Sequence, residues 1–231
     1  MNQVEKYKPI VKILRYIEDA PRVIASAGKS TLTFKSFESI VEDMDSEEVS
    51  NWIRELVRRG HGSPLEHSIY IFEVVCSRVA SHQLVRHRIA SYTQLSQRYS
   101  DNYLRSMVLK LSLKTGLNIE IPLKPKGRDD YLLYYRVLNE VLNSDLGFGE
   151  LSDSVSEAFI IPPTVIKNRD IEYLKSIIYS VREYYRLLSN GYTAEDARFI
   201  LPQSVKTRIL VSMNARELTE NFLPLRMCSR A

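Results

Sequence analysis

The chain has 231 residues, 44% of them apolar and 26% charged, with a formal net charge of +4. These values fit a globular protein with a real core, arranged as one large domain or two small ones. They exclude a disulfide scaffold, because Cys76 and Cys228 are the only cysteines, and a membrane helix, because no apolar run approaches roughly 20 residues. The N-terminus, MNQVEKYKPIVK, sets Glu5, Lys6, Lys8 and Lys12 around a short apolar patch. It does not read as a signal peptide, so the cytoplasm is the expected location and no membrane partner is expected. The mild positive charge permits anionic ligands without demanding nucleic acid.

Taken in chain order, residues 11–17 predict a first strand. Residues 46–60 predict a helix, with Val49, Trp52, Ile53, Leu56 and Val57 at helical spacing, Ser46 as its cap and Gly60 at its end. Residues 67–75 are β-branched and aromatic and predict a strand. The first part of 77–90 predicts a helix. Residues 107–124 predict two short strands about Gly116, and 129–143 an amphipathic helix. Residues 144–170 are turn-rich. The clearest helix is 171–191, with apolar residues at 171, 174, 177, 178, 181 and 188. Thr193 caps a short segment that stops before Pro202, residues 206–213 predict a strand, and 214–223 predict a short helix before Pro224. Without a regular βαβ rhythm, the expected class is α+β, a mixed sheet with packed helices.

Three familiar motifs fail. SAGKST (26–31) ends like a phosphate-binding P-loop, but the required earlier glycine is Val23, so a capped turn is expected there. With eight glycines and no G-x-G-x-x-G, the chain shows no backbone cradle for a dinucleotide. Among His61, Glu66, His67, His82 and His87 no H-E-x-x-H occurs, and neighbouring arginines repel a cation, so no metal is expected.

The most unusual stretch is 74–100. It contains four arginines and two histidines but no Lys, Asp or Glu. If 77–88 is helical, Gln83, Arg86 and His87 share a face; if 92–99 is extended, Gln94, Ser96 and Arg98 share a side. Guanidinium forks bind phosphate in paired charge-assisted hydrogen bonds, and amides suit the donor–acceptor edge of a pyrimidine or a flavin. Without acids, these cations are expected to take their anions from outside. Composition leaves a small anionic ligand, a nucleic acid and a plain solvated face all open.

The spacing narrows this choice. RHRIASYTQLSQR (86–98) fits R-H-R-x-x-S-x-x-x-x-S-x-R at Arg86, His87, Arg88, Ser91, Ser96 and Arg98. It resembles the signature of the flavin-dependent thymidylate synthases. GHGSPLEH (60–67), ARFILP (197–202) and NARELTENFLPLRMCSRA (214–231) are similar to further motifs of that family. Residues 104–160 match no recognised motif, so a single domain with a possible insertion there is expected.

The resemblance implies reductive methylation of dUMP to dTMP. The carbon comes from methylenetetrahydrofolate, the electrons come from NADPH through FAD, and a homotetramer shares its active sites between chains. It implies FAD contacts from Ser63, Arg86, His87, Arg88, Gln94, Asn214, Arg216 and Asn221. Asn221 competes with Glu220 because ELTENFLPLR is one residue longer than the family pattern. It implies substrate contacts from Gln83, Arg86, Gln94, Leu95, Ser96, Gln97, Arg98, Arg198 and Arg226. Arg226 is the expected catalytic group: a guanidinium at the N3/O2 edge of uracil stabilises negative charge there and makes C5 electron-rich, without an enzyme nucleophile. Family members usually continue into another helix after this last motif, and Arg226 is expected to need that support. A basic nucleic-acid-binding module and a non-catalytic nucleotide-binding relative are the alternatives.

Overall fold

The computed structural model describes residues 7–116 and 120–227. The chain divides into two compact units. The first comprises 1–10, 75–82 and 94–208, and the second comprises 11–74, 83–93 and 209–231.

The first unit is mainly helical. It contains α5 (Asn102–Thr115), α6 (Arg128–Leu142), α7 (Phe148–Val155), α8 (Pro163–Asn168), α9 (Ile171–Ser189) and α10 (Ala194–Ala197). Along α9, Leu174, Ile177, Ile178, Val181, Tyr184, Tyr185 and Leu188 are buried, the stripe that helical spacing dictates. They pack with Leu104, Met107, Val108 and Leu111 of α5, and with Tyr134, Val137 and Leu138 of α6. The Tyr134 and Tyr185 rings lie 4.7 Å apart, and Tyr185 Oη donates to Asp101 Oδ2 at 3.2 Å. Residues 104–160 therefore supply much of this core.

Two expectations fail in this unit. The strands expected at 107–124 are the helix α5, ended by Gly116 in the left-handed region at φ 65°; residues 117–119 lie outside the described part. The apolar letters alternate in MVLKLSLK, yet burial follows 104, 107, 108 and 111, while Leu113 is 84% exposed. The turn-rich stretch 144–170 also contains α7 and α8, the latter started by Pro163 at its first turn.

The second unit opens with α1 (Ala20–Ser30), α2 (Phe37–Asp43) and α3 (Ser46–Arg59). Helix α3 is capped by Asp45, whose side chain accepts from the Glu48 amide, rather than by Ser46; Gly60 ends it at φ 69°, as expected. The P-loop-like SAGKST falls on the last turn of α1 and Thr31, where a capped turn was expected, and Gly28 packs against Leu56 and Trp52.

The four-stranded sheet has the order β1 (Ile10–Tyr16), β2 (Ile69–Ser77), β4 (Lys206–Asn214), β3 (Ala90–Gln94). Hydrogen bonds from Ile17 N to Ile69 O, Ala215 N to Ser68 O and Leu95 N to Arg208 O join strand ends to strand starts. Neighbours thus run antiparallel, so the α+β class holds but the mixture of strand directions does not. Every residue of β1 is exposed, including Val11, Ile13 and Tyr16.

Helix α4 (Arg78–Leu84) stops before Arg86 and His87, so those two do not share a helical face with Gln83. Strand β3 stops at Gln94, so Ser96 and Arg98 lie in the turn beyond it. The C-terminal segment is a π-helical turn, Glu217–Phe222, followed directly by α11 (Leu223–Arg226). Winding thus continues through Pro224, where a helix stopping before it was expected. Pro224 sits in the first turn of α11, where its missing N–H costs least.

Candidate functional site

In the second unit a cavity of about 720 Å³ lies between α1, α3 and the 3₁₀ turn Ser63–His67. Its size is that of a cofactor or substrate pocket. Ser63, Gly62, His61, Trp52 and Arg216 are among its walls. Arg216 Nη1 donates to Glu66 Oε1 at 2.6 Å, and its Nε to Glu220 Oε2 at 2.8 Å. Its hydrogen bonds to Glu220 and Glu66 hold the guanidinium above its ordinary pKa. Gly62 leaves room for this arrangement, since a Cβ there would fall 2.7 Å from Glu220 Oε1 and against the Arg216 guanidinium. Glu55, also in the wall, is lowered to about 2 by hydrogen bonds from Arg58 and Arg59.

The same unit joins the signature to the C-terminal motif. His87 is buried; its Nδ1 lies 3.2 Å from Glu217 Oε1, and its Nε2 accepts from Arg226 Nε at 3.0 Å. Arg226 Nη2 donates to the Gln83 carbonyl at 3.0 Å. Tyr92 Oη donates to the carbonyls of His87, at 2.7 Å, and Leu84, at 2.9 Å. Burial, then the charge of Glu217, pushes the Tyr92 phenol up to about 12.

In the first unit a smaller cavity, about 280 Å³, is lined by Arg78, His82, Gln97, Arg198 and Gln203 with apolar neighbours, and no Asp or Glu lines it. Burial, then the nearby charge of Arg198, lowers Arg78 below the ordinary guanidinium value. Arg78 Nη2 and His82 Nε2 lie 3.5 Å apart. Two guanidiniums beside an imidazole and two amides, with no carboxylate in the wall, make an anion cradle.

The expected site residues therefore fall in several places. Ser63 and Arg216 share the large cavity; His87, Arg226 and the Gln83 carbonyl form one cluster; Gln97 and Arg198 share the small cavity. Arg86 and Arg88 are exposed, and Arg98 lies over the Tyr99 ring at 5.2 Å. Gln94 donates to Ser81 Oγ and Thr207 Oγ1, which anchors it. Leu95 is half-buried, and Ser96 Oγ accepts from the Arg98 amide. Asn214 Oδ1 accepts from the Glu217 amide, and Asn221 Nδ2 donates to Glu217 Oε2; neither lines the large cavity. Sequence reasoning missed Arg78, His82 and Glu217. The first two sit four residues apart in the acid-free stretch, which was the available signal.

Among the described residues no group of three or more His, Cys, Asp or Glu side chains is suited to a metal, and no helix is long and apolar enough to cross a membrane. Cys76 is buried, and burial raises its thiol pKa. Cys228 lies outside the described residues.

The sequence profile of the family described as "Thymidylate synthase complementing protein" matches residues 12–231. The chain is 45% identical over 229 residues to a flavin-dependent thymidylate synthase of Aeropyrum pernix, covering 96% of this chain and 69% of that one. It is 37% identical to that of Saccharolobus solfataricus, covering 96% of this chain and 66% of the relative. The chain thus spans about two thirds of the length of these curated relatives. The fold is shared with thymidylate synthase X of Helicobacter pylori, solved with FAD and dUMP. The TM-score is 0.65 at 22% identity, over 96% of this chain and 86% of that one. The chain belongs to the thymidylate synthase complementing protein family, that of the flavin-dependent thymidylate synthases.

Proposed function

We propose that the chain is a flavin-dependent thymidylate synthase. It methylates dUMP to dTMP, takes its carbon from methylenetetrahydrofolate and its electrons from NADPH through FAD, and works in the cytoplasm. The observation that carries this reading is the hydrogen bond from Arg226 to His87, which ties the C-terminal motif to the signature across 139 residues of chain.

The large cavity suits FAD. It offers a hydroxyl at Ser63, an indole at Trp52, a fixed guanidinium at Arg216 and a glycine at 62 whose missing Cβ keeps that guanidinium in place. When bound, FAD supplies passage of an electron pair from NADPH to the transferred carbon. Arg86, His87, Arg88, Gln94, Asn214 and Asn221 are assigned to the same cofactor; Asn214 and Asn221 also hold Glu217 in place.

Arg198 and Gln97, with Arg78 and His82, hold the substrate phosphate in the carboxylate-free cavity. Gln83, Leu95, Ser96 and Arg98 complete the substrate contacts. Arg226 faces the N3/O2 edge of the uracil. Its fixed positive charge stabilises negative charge displaced onto that edge, so that C5 attacks as carbon nucleophile. Cys76 does not serve as a nucleophile, because it is packed and its thiol is disfavoured as thiolate.

The active site is built by several chains of a homotetramer. A strand exposed along its whole length, carrying Val11, Ile13 and Tyr16 at an edge of the sheet, supports such assembly. Residues 104–160, wherever the family gains or loses length, belong to the same functional domain.

The test is an absorbance spectrum of the purified protein with and without dUMP, followed by NADPH oxidation. A flavin band that shifts with dUMP, and dUMP-dependent NADPH oxidation with dTMP formed, is expected. A protein that takes up no FAD overturns the reading. Binding to oligonucleotides that weakens steeply with salt, in place of flavin uptake, identifies the nucleic-acid module instead.

A further inference from the structure

Glu217 is a buried carboxylate, 3% exposed, at the start of the π-helical turn. Its amide and both carboxylate oxygens are engaged within the second unit. Its amide donates to Asn214 Oδ1, Oε2 accepts from Asn221 Nδ2 at 2.8 Å, and Oε1 faces His87 Nδ1 at 3.2 Å. The imidazole edge meets the Phe222 ring at a centroid distance of 4.8 Å, and the His87 carbonyl is fixed by Tyr92. Arg226 approaches the opposite ring nitrogen.

These partners leave one arrangement of the ring proton. A guanidinium Nε–H only donates, so Nε2 of His87 carries the lone pair. An ionised carboxylate only accepts, so Nδ1 carries the hydrogen. Reversing the tautomer would set N–H against N–H at Arg226 and lone pair against lone pair at Glu217. The turn geometry supplies the rest. ELTENF winds with π rather than α spacing, and a π turn accommodates an extra residue without breaking the helix. Glu217 and Asn221 then face each other, and Arg226 still reaches His87.

We propose that Glu217 is a positioning residue for Arg226: it fixes the Nδ1–H tautomer of His87, and that ring in turn holds the guanidinium in the orientation the uracil edge requires. The inference rests on the reading of Arg226 as the group that faces the uracil. Glu217 itself touches neither substrate nor cofactor.

The first test needs no variant. In FAD-loaded protein with ¹⁵N-histidine, the His87 ring should show a protonated Nδ1 and an unprotonated Nε2. The Nε2–H form overturns the proposal. The second compares Glu217→Gln with Arg226→Ala in the FAD-loaded enzyme. The amide keeps the volume but can offer N–H to Nδ1, so kcat should fall about 10- to 100-fold, as when an orienting partner of a histidine is lost. The KM for dUMP should stay within about threefold, because ground-state binding is not what the ring controls. FAD uptake and melting temperature should be near those of the parent. Wild-type kcat in Glu217→Gln, with Arg226→Ala inactive, overturns the positioning role alone. Wild-type activity in Arg226→Ala overturns the reading beneath it. An equal loss of FAD, stability and activity in Glu217→Gln marks a merely structural carboxylate and also overturns the proposal.

Discussion

In the second unit the cavity guanidinium, Arg216, is gripped by Glu66 and Glu220. In the first unit Arg78 and Arg198 share a cavity wall that contains no carboxylate. The two regions use the same side chain for different ends. An arginine tied at two carboxylates is held in place before any ligand arrives, and its remaining donors point where the pairs leave them. Two arginines that raise each other's electrostatic energy gain most when an anion from outside neutralises both. Fixed geometry suits a cofactor that stays, and unmet charge suits a substrate that comes and goes.

The sharpest way to break this contrast is Arg198→Ala. Loss of charge-assisted bonds to phosphate should weaken dUMP binding about 10- to 100-fold, read from the flavin difference spectrum, with FAD uptake unchanged. If FAD is lost instead, the small cavity is not the phosphate cradle. Next comes Arg216→Ala, which should weaken FAD binding about tenfold in a reconstitution titration while leaving thermal stability near the parent's, because its ion pairs are solvent-exposed. Gly62→Ala should shift the same guanidinium without removing it, giving a smaller loss of FAD affinity, about threefold, by the same titration. A wild-type titration curve for Gly62→Ala would show that the position of Arg216 matters less than its charge.

A further prediction concerns the first unit as a whole. Burial raises the phenol of Tyr134 to about 12 and pushes those of Tyr184 and Tyr185 still higher. An unfolded tyrosine gives up its proton near 10, so the folded state binds more protons between the two values. Stability present below pH 10 should therefore be lost as pH rises through about 12. A phenolate absorbance titration should show these protons leaving together with unfolding, and Tyr134→Phe should soften the loss.

Helix α9 was legible because the spacing of Leu174, Ile177, Ile178, Val181 and Leu188 fits helical periodicity and the segment is too long for a strand. Helix α5 was not: alternating Leu and Lys mimic a strand over a short window, and only tertiary packing decides that Leu111 goes inside and Leu113 outside. The same division holds for the site. The six fixed positions of the signature could be read from spacing, as could Ser63 and Arg216 by resemblance. The partnership of Arg78 with Arg198 could not, since it depends on the fold bringing 198–203 back to α4. Nor could Glu217, because an acid near a helix start reads as a response to the helix dipole rather than as the partner of a histidine far back in the chain.

Strand β1 gives a clean thermodynamic probe. None of its side chains is buried within its own chain. Replacing Ile13 with threonine thus removes almost nothing from the folding of a single copy. Any cooperative loss that does follow, and that deepens on dilution, measures contact with another molecule and not the interior of this one.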